Sequence, residues 1–77
     1  MNFDAFIKSG NEVTVLFYAE WYRPSMDQKR YIESTISSDL LLCIDVDTSI
    51  ELTDRFKIKA VPTMIKFSEG EVTFRSI

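Results

Sequence analysis

The chain has 77 residues, 45% hydrophobic and 27% charged, and carries a net charge of -3 at pH 7. That length holds one core and leaves no room for a second domain, so residues 1–77 are read as a single unit. Six Phe, three Tyr and one Trp supply too much apolar area for a disordered chain. The acidic balance argues against a nucleic-acid footprint, and no apolar run approaches the roughly 18 residues of a membrane span.

Phe3, Phe6 and Ile7 recur at helical spacing, and Gly10–Asn11 reads as the stop of a first helix over Phe3–Ser9. Val13–Tyr18 is almost wholly apolar and rich in β-branched and aromatic residues, the pattern of a strand buried on both faces. After a connection over Ala19–Arg23, Pro24 opens a helix to Ile36, since its missing N–H costs nothing in the first turn. Leu40–Val46 reads as a second buried strand. Asp47, Thr48 and Ser49 are capping candidates for a short helix over Ile50–Phe56, with Leu52 and Phe56 on one face. Thr63–Phe67 is a third strand. Glu69–Gly70 is a tight turn, and Glu71–Ile77 alternates as a fourth strand with Val72 and Phe74 on one side and Thr73 and Arg75 on the other.

Strands separated by helices predict parallel pairing, and the final turn an antiparallel pair. The expected fold is α/β: a mixed sheet of four strands with about three helices.

Four segments resemble the thioredoxin family in order and distance. Val13–Ser25, ending Trp21-Tyr22-Arg23-Pro24-Ser25, is similar to the family's strand running into its W-C-G-P-C motif. Asp45-Val46-Asp47 resembles the strand end after the first crossover. Ile58-Lys59-Ala60-Val61-Pro62-Thr63 is similar to the loop before the family's cis-proline, and Ser68–Val72 to the hairpin after it. The resemblance implies a cis Val61–Pro62 bond, and a Val61 backbone offered to an extended peptide. It also implies a minimal version of the fold, without the family's usual first strand and last helix.

The sequence departs from the family where the chemistry sits. Thiol–disulfide exchange needs an attacking thiolate and a resolving thiol. Tyr22 stands at the first position and Ser25 at the second. A serine nucleophile needs a general base, and the chain has no histidine. Leu16 occupies the place of the family's buried acid and Cys43 that of its neighbouring lysine. Replacement of the supporting residues together with the cysteines fits natural divergence better than an engineered knock-out.

Cys43 has no internal disulfide partner and reads as an apolar filler in a buried strand. Glu20, Asp45, Asp47 and Asp54 read as solvated charges and caps rather than a metal cluster. No cofactor or metal is expected, no catalytic residue, and the chain is not expected to be an enzyme.

The expected role is a non-catalytic binding module, or accessory subunit of a larger assembly. Its docking surface would be the degenerate loop Trp21, Tyr22, Arg23, Pro24 and Ser25 together with Val61, Pro62 and Thr63. The partner is expected to be a protein, not nucleic acid or a membrane. A purely structural component of a cellular or viral assembly is the alternative, and a divergent oxidoreductase a further one. The expected setting is cytoplasmic, or a virus particle under the assembly reading. On the sheet face of Leu16, Cys43 and Met64, the positions Thr14 and Lys66 are expected to be partly hydrated where a last helix would lie, or else covered by another chain.

Overall fold

The computed structural model describes residues 2–76. Helix α1 (Phe3–Ile7) is capped by Asn2, whose Oδ1 accepts from the N–H groups of Asp4 at 2.9 Å and Ala5 at 3.3 Å. Strand β1 (Glu12–Tyr18) is followed by α2 (Arg23–Thr35), a 3-10 turn over Ser38–Leu40, and β2 (Leu41–Asp45). Helix α3 (Ile50–Arg55) and the hairpin of β3 (Thr63–Ser68) with β4 (Glu71–Ser76) complete the order. These are the expected three helices and four-stranded mixed sheet. Ile77, predicted to end the fourth strand, lies outside the described residues.

The strand order is β2-β1-β3-β4. Strand β1 pairs parallel with β2, placing Leu16 beside Cys43, and antiparallel with β3, placing Leu16 beside Met64. The prediction that helix-separated strands run parallel therefore holds for β1 and β2 but not for β3. Helix α3, six residues long, does not return the chain to the far end of the sheet. Chain leaves β2 beside Tyr18 and enters β3 beside Phe17, and β3 must run the other way.

The order also corrects β2. It is an edge strand, and only Ile44 in it is buried. Strand β1 is central and buried from Val13 to Phe17. On one sheet face Val13, Val15, Phe17, Ile44, Ile65 and Phe67 form the core with Ile7, roofed by residues of α1 and α3. Phe56 sits at its middle, with ring centroids 5.6 Å from Phe3, 6.2 Å from Phe17 and 5.5 Å from Phe67. Arg55 joins α3 to α1 through Asp4, Nη2 to Oδ1 2.8 Å.

Helix α2 covers the other face over Leu16, where Ile32 is buried and the Lys29 ammonium lies 5.3 Å from the centre of the Tyr18 ring. Thr14, expected to be hydrated there, is instead buried at 5% exposure, because both its sheet neighbours, Leu41 and Lys66, flank it. Lys66 is half-buried, its ammonium 5.9 Å from the centre of the Phe74 ring.

Two local expectations change. Ser49 is the N-cap residue of α3, but its side chain makes no capping bond. Asp45 closes that turn instead: its Oδ1 accepts from Asp47 N–H at 2.8 Å and its carbonyl from Ser49 N–H at 3.0 Å. In the hairpin, Glu69 and Gly70 both have positive φ, 51° and 85°, the backbone of a two-residue turn matched to strand twist. The register then slips, with Val72 opposite Phe67 and Phe74 opposite Lys66. Cross-strand partners share a face, so Thr73 is a bulge and Val72 and Phe74 lie on opposite faces, not one. Arg75 consequently turns to the α3 side, where its guanidinium donates to the carbonyls of Phe56 at 2.7 Å and Lys57 at 3.3 Å.

Candidate functional site

The loop between β1 and α2 is wound on Ser25. Its Oγ lies 2.8 Å from the carbonyl oxygens of both Ala19 and Tyr22 and accepts from Ala19 N–H at 3.1 Å. One hydroxyl proton serves one carbonyl at a time, so the group donates to one backbone carbonyl and accepts from one backbone N–H. Ser25 is fully buried. Tyr22 is the helix N-cap with extended backbone, and its carbonyl accepts from Ser25 N–H at 3.0 Å and Met26 N–H at 3.3 Å. Pro24 lies in the first turn, where a missing donor is harmless.

Trp21 is 71% exposed and Tyr22 41%, with ring centroids 5.9 Å apart. The indole Nε1–H donates to Asp47 Oδ2 at 2.7 Å, which fixes the ring against the turn after β2. Opposite them the Val61–Pro62 peptide bond is cis. Thr63 is buried, paired with Phe17, and its hydroxyl donates to Ala60 O. Among the described residues, no hydrogen bond engages the Val61 N–H or carbonyl.

Between these walls runs an open groove of about 490 Å³, lined among others by Trp21, Tyr22, Val46, Ile58 and Val61. The eight residues expected at a docking surface therefore divide. Trp21, Tyr22 and Val61 face the groove. Arg23 points into solvent, 3.9 Å from Asp27. Ser25 and Thr63 are buried beneath the walls rather than exposed in this groove. Sequence reasoning missed Asp47, Ile58 and Lys59 as groove residues. Ile58 and Lys59 lie just before the cis-proline segment, and that proximity was the available signal. Asp47 gave none, because its partner Trp21 is 26 residues away.

What the loop can do chemically is limited. Neither Tyr22 nor Ser25 carries sulfur, and the Ser25 hydroxyl is enclosed. Leu16 is fully buried on the α2 side of the sheet, beside Cys43. The Cys43 side chain is half-buried against Glu33 and Ile36. Burial pushes its thiol above the ordinary value of 9.0, Glu33 adds to the rise, and Lys29 opposes it. Burial likewise raises the Tyr18 phenol. Among the described residues no three His, Cys, Asp or Glu side chains converge to hold a metal, and no helix is long and apolar enough to cross a membrane.

This four-stranded mixed sheet has counterparts. The chain is 32% identical over 80 residues to the thioredoxin of Chlamydia muridarum, covering 99% of itself and 76% of that protein. The chain belongs to the thioredoxin family. It is also 33% identical over 78 residues to mouse protein disulfide-isomerase A5, covering 91% of itself. It spans only 15% of that protein, and 50% of Drosophila yakuba thioredoxin-1. Among solved structures, Plasmodium falciparum thioredoxin superposes with a TM-score of 0.82 at 26% identity, over 97% of this chain and 76% of that one. No protein-family model matches the chain.

Proposed function

We propose that the chain is a redox-inactive binding module of the thioredoxin fold, an accessory subunit that docks a protein partner in the Trp21–Val61 groove. The observation that carries this reading is the state of Ser25. Dithiol exchange requires two sulfurs within bonding reach. Here the second position is a buried hydroxyl hydrogen-bonded to the backbone of Ala19 and Tyr22, while the walls on either side stay open. The groove retains two exposed aromatic rings on a rigid turn, side chains of the kind that dominate interface energetics. Its Val61 backbone, unengaged among the described residues, is able to pair with an extended segment. The relatives are named as thioredoxins and a disulfide isomerase, so an exchange activity is the competing reading. The one cysteine of the chain sits on the sheet face away from that groove.

Insulin reduction by dithiothreitol decides between them. The protein is expected to leave the rate of insulin precipitation at the level of dithiothreitol alone. An acceleration that disappears in Cys43→Ala would overturn the reading. The cytoplasmic setting is proposed on the same footing, and fractionation of the source cells checks it.

A further inference from the structure

A second cavity, of about 530 Å³, opens where α3 ends, and Arg55, Lys57, Lys59 and Arg75 line it. Four of the chain's nine cationic side chains thus meet at one place in a molecule whose net charge is -3. Of these four, only Arg55 has a carboxylate partner among the described residues, Asp4 at 2.8 Å. Arg75 is held by the carbonyls of Phe56 and Lys57, which use two of its five N–H donors and fix the rest with little ordering left to lose on binding.

Lys57 adds an independent observation. It follows α3 at the position where a helix closes in the left-handed conformation, φ 53°. Its N–H bonds the Asp54 carbonyl at 3.1 Å and Ile58 N–H bonds that of Thr53 at 3.0 Å, a closure that strongly favours glycine. A lysine there is strained backbone beside a cation-lined cavity, the kind of local cost retained where a side chain has a task.

Lys59 and Ala60 line both this cavity and the aromatic groove, so the two are continuous along the segment leading to Val61. We infer that the cavity receives the acidic stretch of an extended partner peptide whose apolar stretch lies against Trp21, Tyr22 and Val61. The inference rests on the binding-module reading and adds the partner's chemistry. Charge complementarity sets the acidic end at the cavity, and the shared wall makes one peptide, rather than a separate small anion, the occupant. The molecule's overall acidity disfavours a nucleic acid, whose affinity depends on a broad basic surface.

The probes are two synthetic peptides of equal length, apolar at one end and rich in glutamate or in glutamine at the other, each in both chain directions. They are titrated into the isotope-labelled full chain and followed by amide chemical shifts. The glutamate peptide is expected to bind at least about tenfold more tightly at low salt, a difference of about 1.4 kcal/mol, with shifts at Lys57, Lys59 and Arg75. Its advantage shrinks as salt rises past physiological strength. Lys57→Gly is expected to raise the melting temperature and weaken the glutamate peptide severalfold, opposite signs that a purely structural lysine does not produce. Lys59→Glu, at an exposed position, removes the preference. Equal binding of the two peptides at Trp21 and Val61 overturns the acidic-partner inference and leaves the binding-module reading standing. Binding of neither overturns the inference too, and the insulin assay still decides the redox question. Inorganic phosphate saturating the same amides as tightly as the glutamate peptide, or an RNA oligonucleotide binding there more tightly, also overturns it.

Discussion

Ser25 shows how one atom changes a site. A sulfur at that position, with a second within reach, can exchange disulfides, whereas the oxygen is small and polar enough to become part of the backbone's hydrogen bonding. Removing it leaves the buried Ala19 N–H without its acceptor, and an orphaned buried donor costs about 1–3 kcal/mol. Ser25→Ala is therefore expected to lower stability by about that amount, read as a drop in urea midpoint at unchanged m-value. Cys43 gives a second prediction. Its thiol pKa is raised in the fold by burial and then by Glu33, so the folded state keeps the proton that the unfolded chain releases near 9.0. Its contribution is fully present below pH 9 and is lost as pH rises through the folded pKa. Tyr18, also raised by burial, acts in the same direction from its ordinary 10.0, and the sign follows because the folded state binds more protons. Stability is expected to decline on the alkaline side from about pH 9. Cys43→Val should flatten the first part of that decline in urea titrations at a series of pH values, and a decline unchanged in the variant would remove Cys43 as its source.

At the scale of elements, the hairpin offers the cleanest prediction. Glu69 holds φ 51°, a conformation in which a side chain with a Cβ is strained by roughly 1–2 kcal/mol and asparagine is tolerated best. Glu69→Asn is expected to stabilise by a few tenths to about 1 kcal/mol, measured as a rise in melting temperature with an unchanged amide spectrum away from the turn. The turn itself was legible in the sequence from Glu69–Gly70, and so was β1 as a buried strand, from five consecutive apolar or threonine positions. The edge position of β2 was not legible. Leu41–Ile44 reads as apolar as β1, and only the strand order β2-β1-β3-β4 decides which strand is flanked on both sides. Nor was the bulge: Val72 and Phe74 keep a clean alternation in sequence, while the register against Lys66 and Phe67 breaks it. The aromatic half of the groove was visible because Trp21, Tyr22, Val61 and Pro62 carry the resemblance. The cationic half was hidden. Arg55, Lys57, Lys59 and Arg75 look scattered along the chain, and the slip at Thr73 is what turns Arg75 to their side.

For the molecule as a whole, one tie across the chain is the pair of Asp4 with Arg55, 51 residues apart. It holds α1 against α3 over the Phe3, Phe56 and Phe67 rings, and the Arg55 guanidinium also lies 5.2 Å from the centre of the Phe56 ring. Two short helices of five and six residues are too short to be stable alone, so their order depends on such cross-ties and on the core beneath. The hydrogen bond from Arg55 lowers the Asp4 pKa below its ordinary 3.8, against the smaller opposing effect of burial. A depressed carboxylate contributes stability above its unfolded pKa and loses it as pH falls through the folded one. The loss is therefore expected below about pH 4, and it should be modest because both partners are exposed and screened by salt. Asp4→Asn isolates it. The variant should unfold at a lower urea concentration than the native chain at pH 7, and the two midpoints should converge as the pH drops toward 3. Midpoints that stay equally far apart at acid pH would show that the charge of Asp4 is not the source of the difference, since a carboxylate and an amide there differ in charge but not in shape.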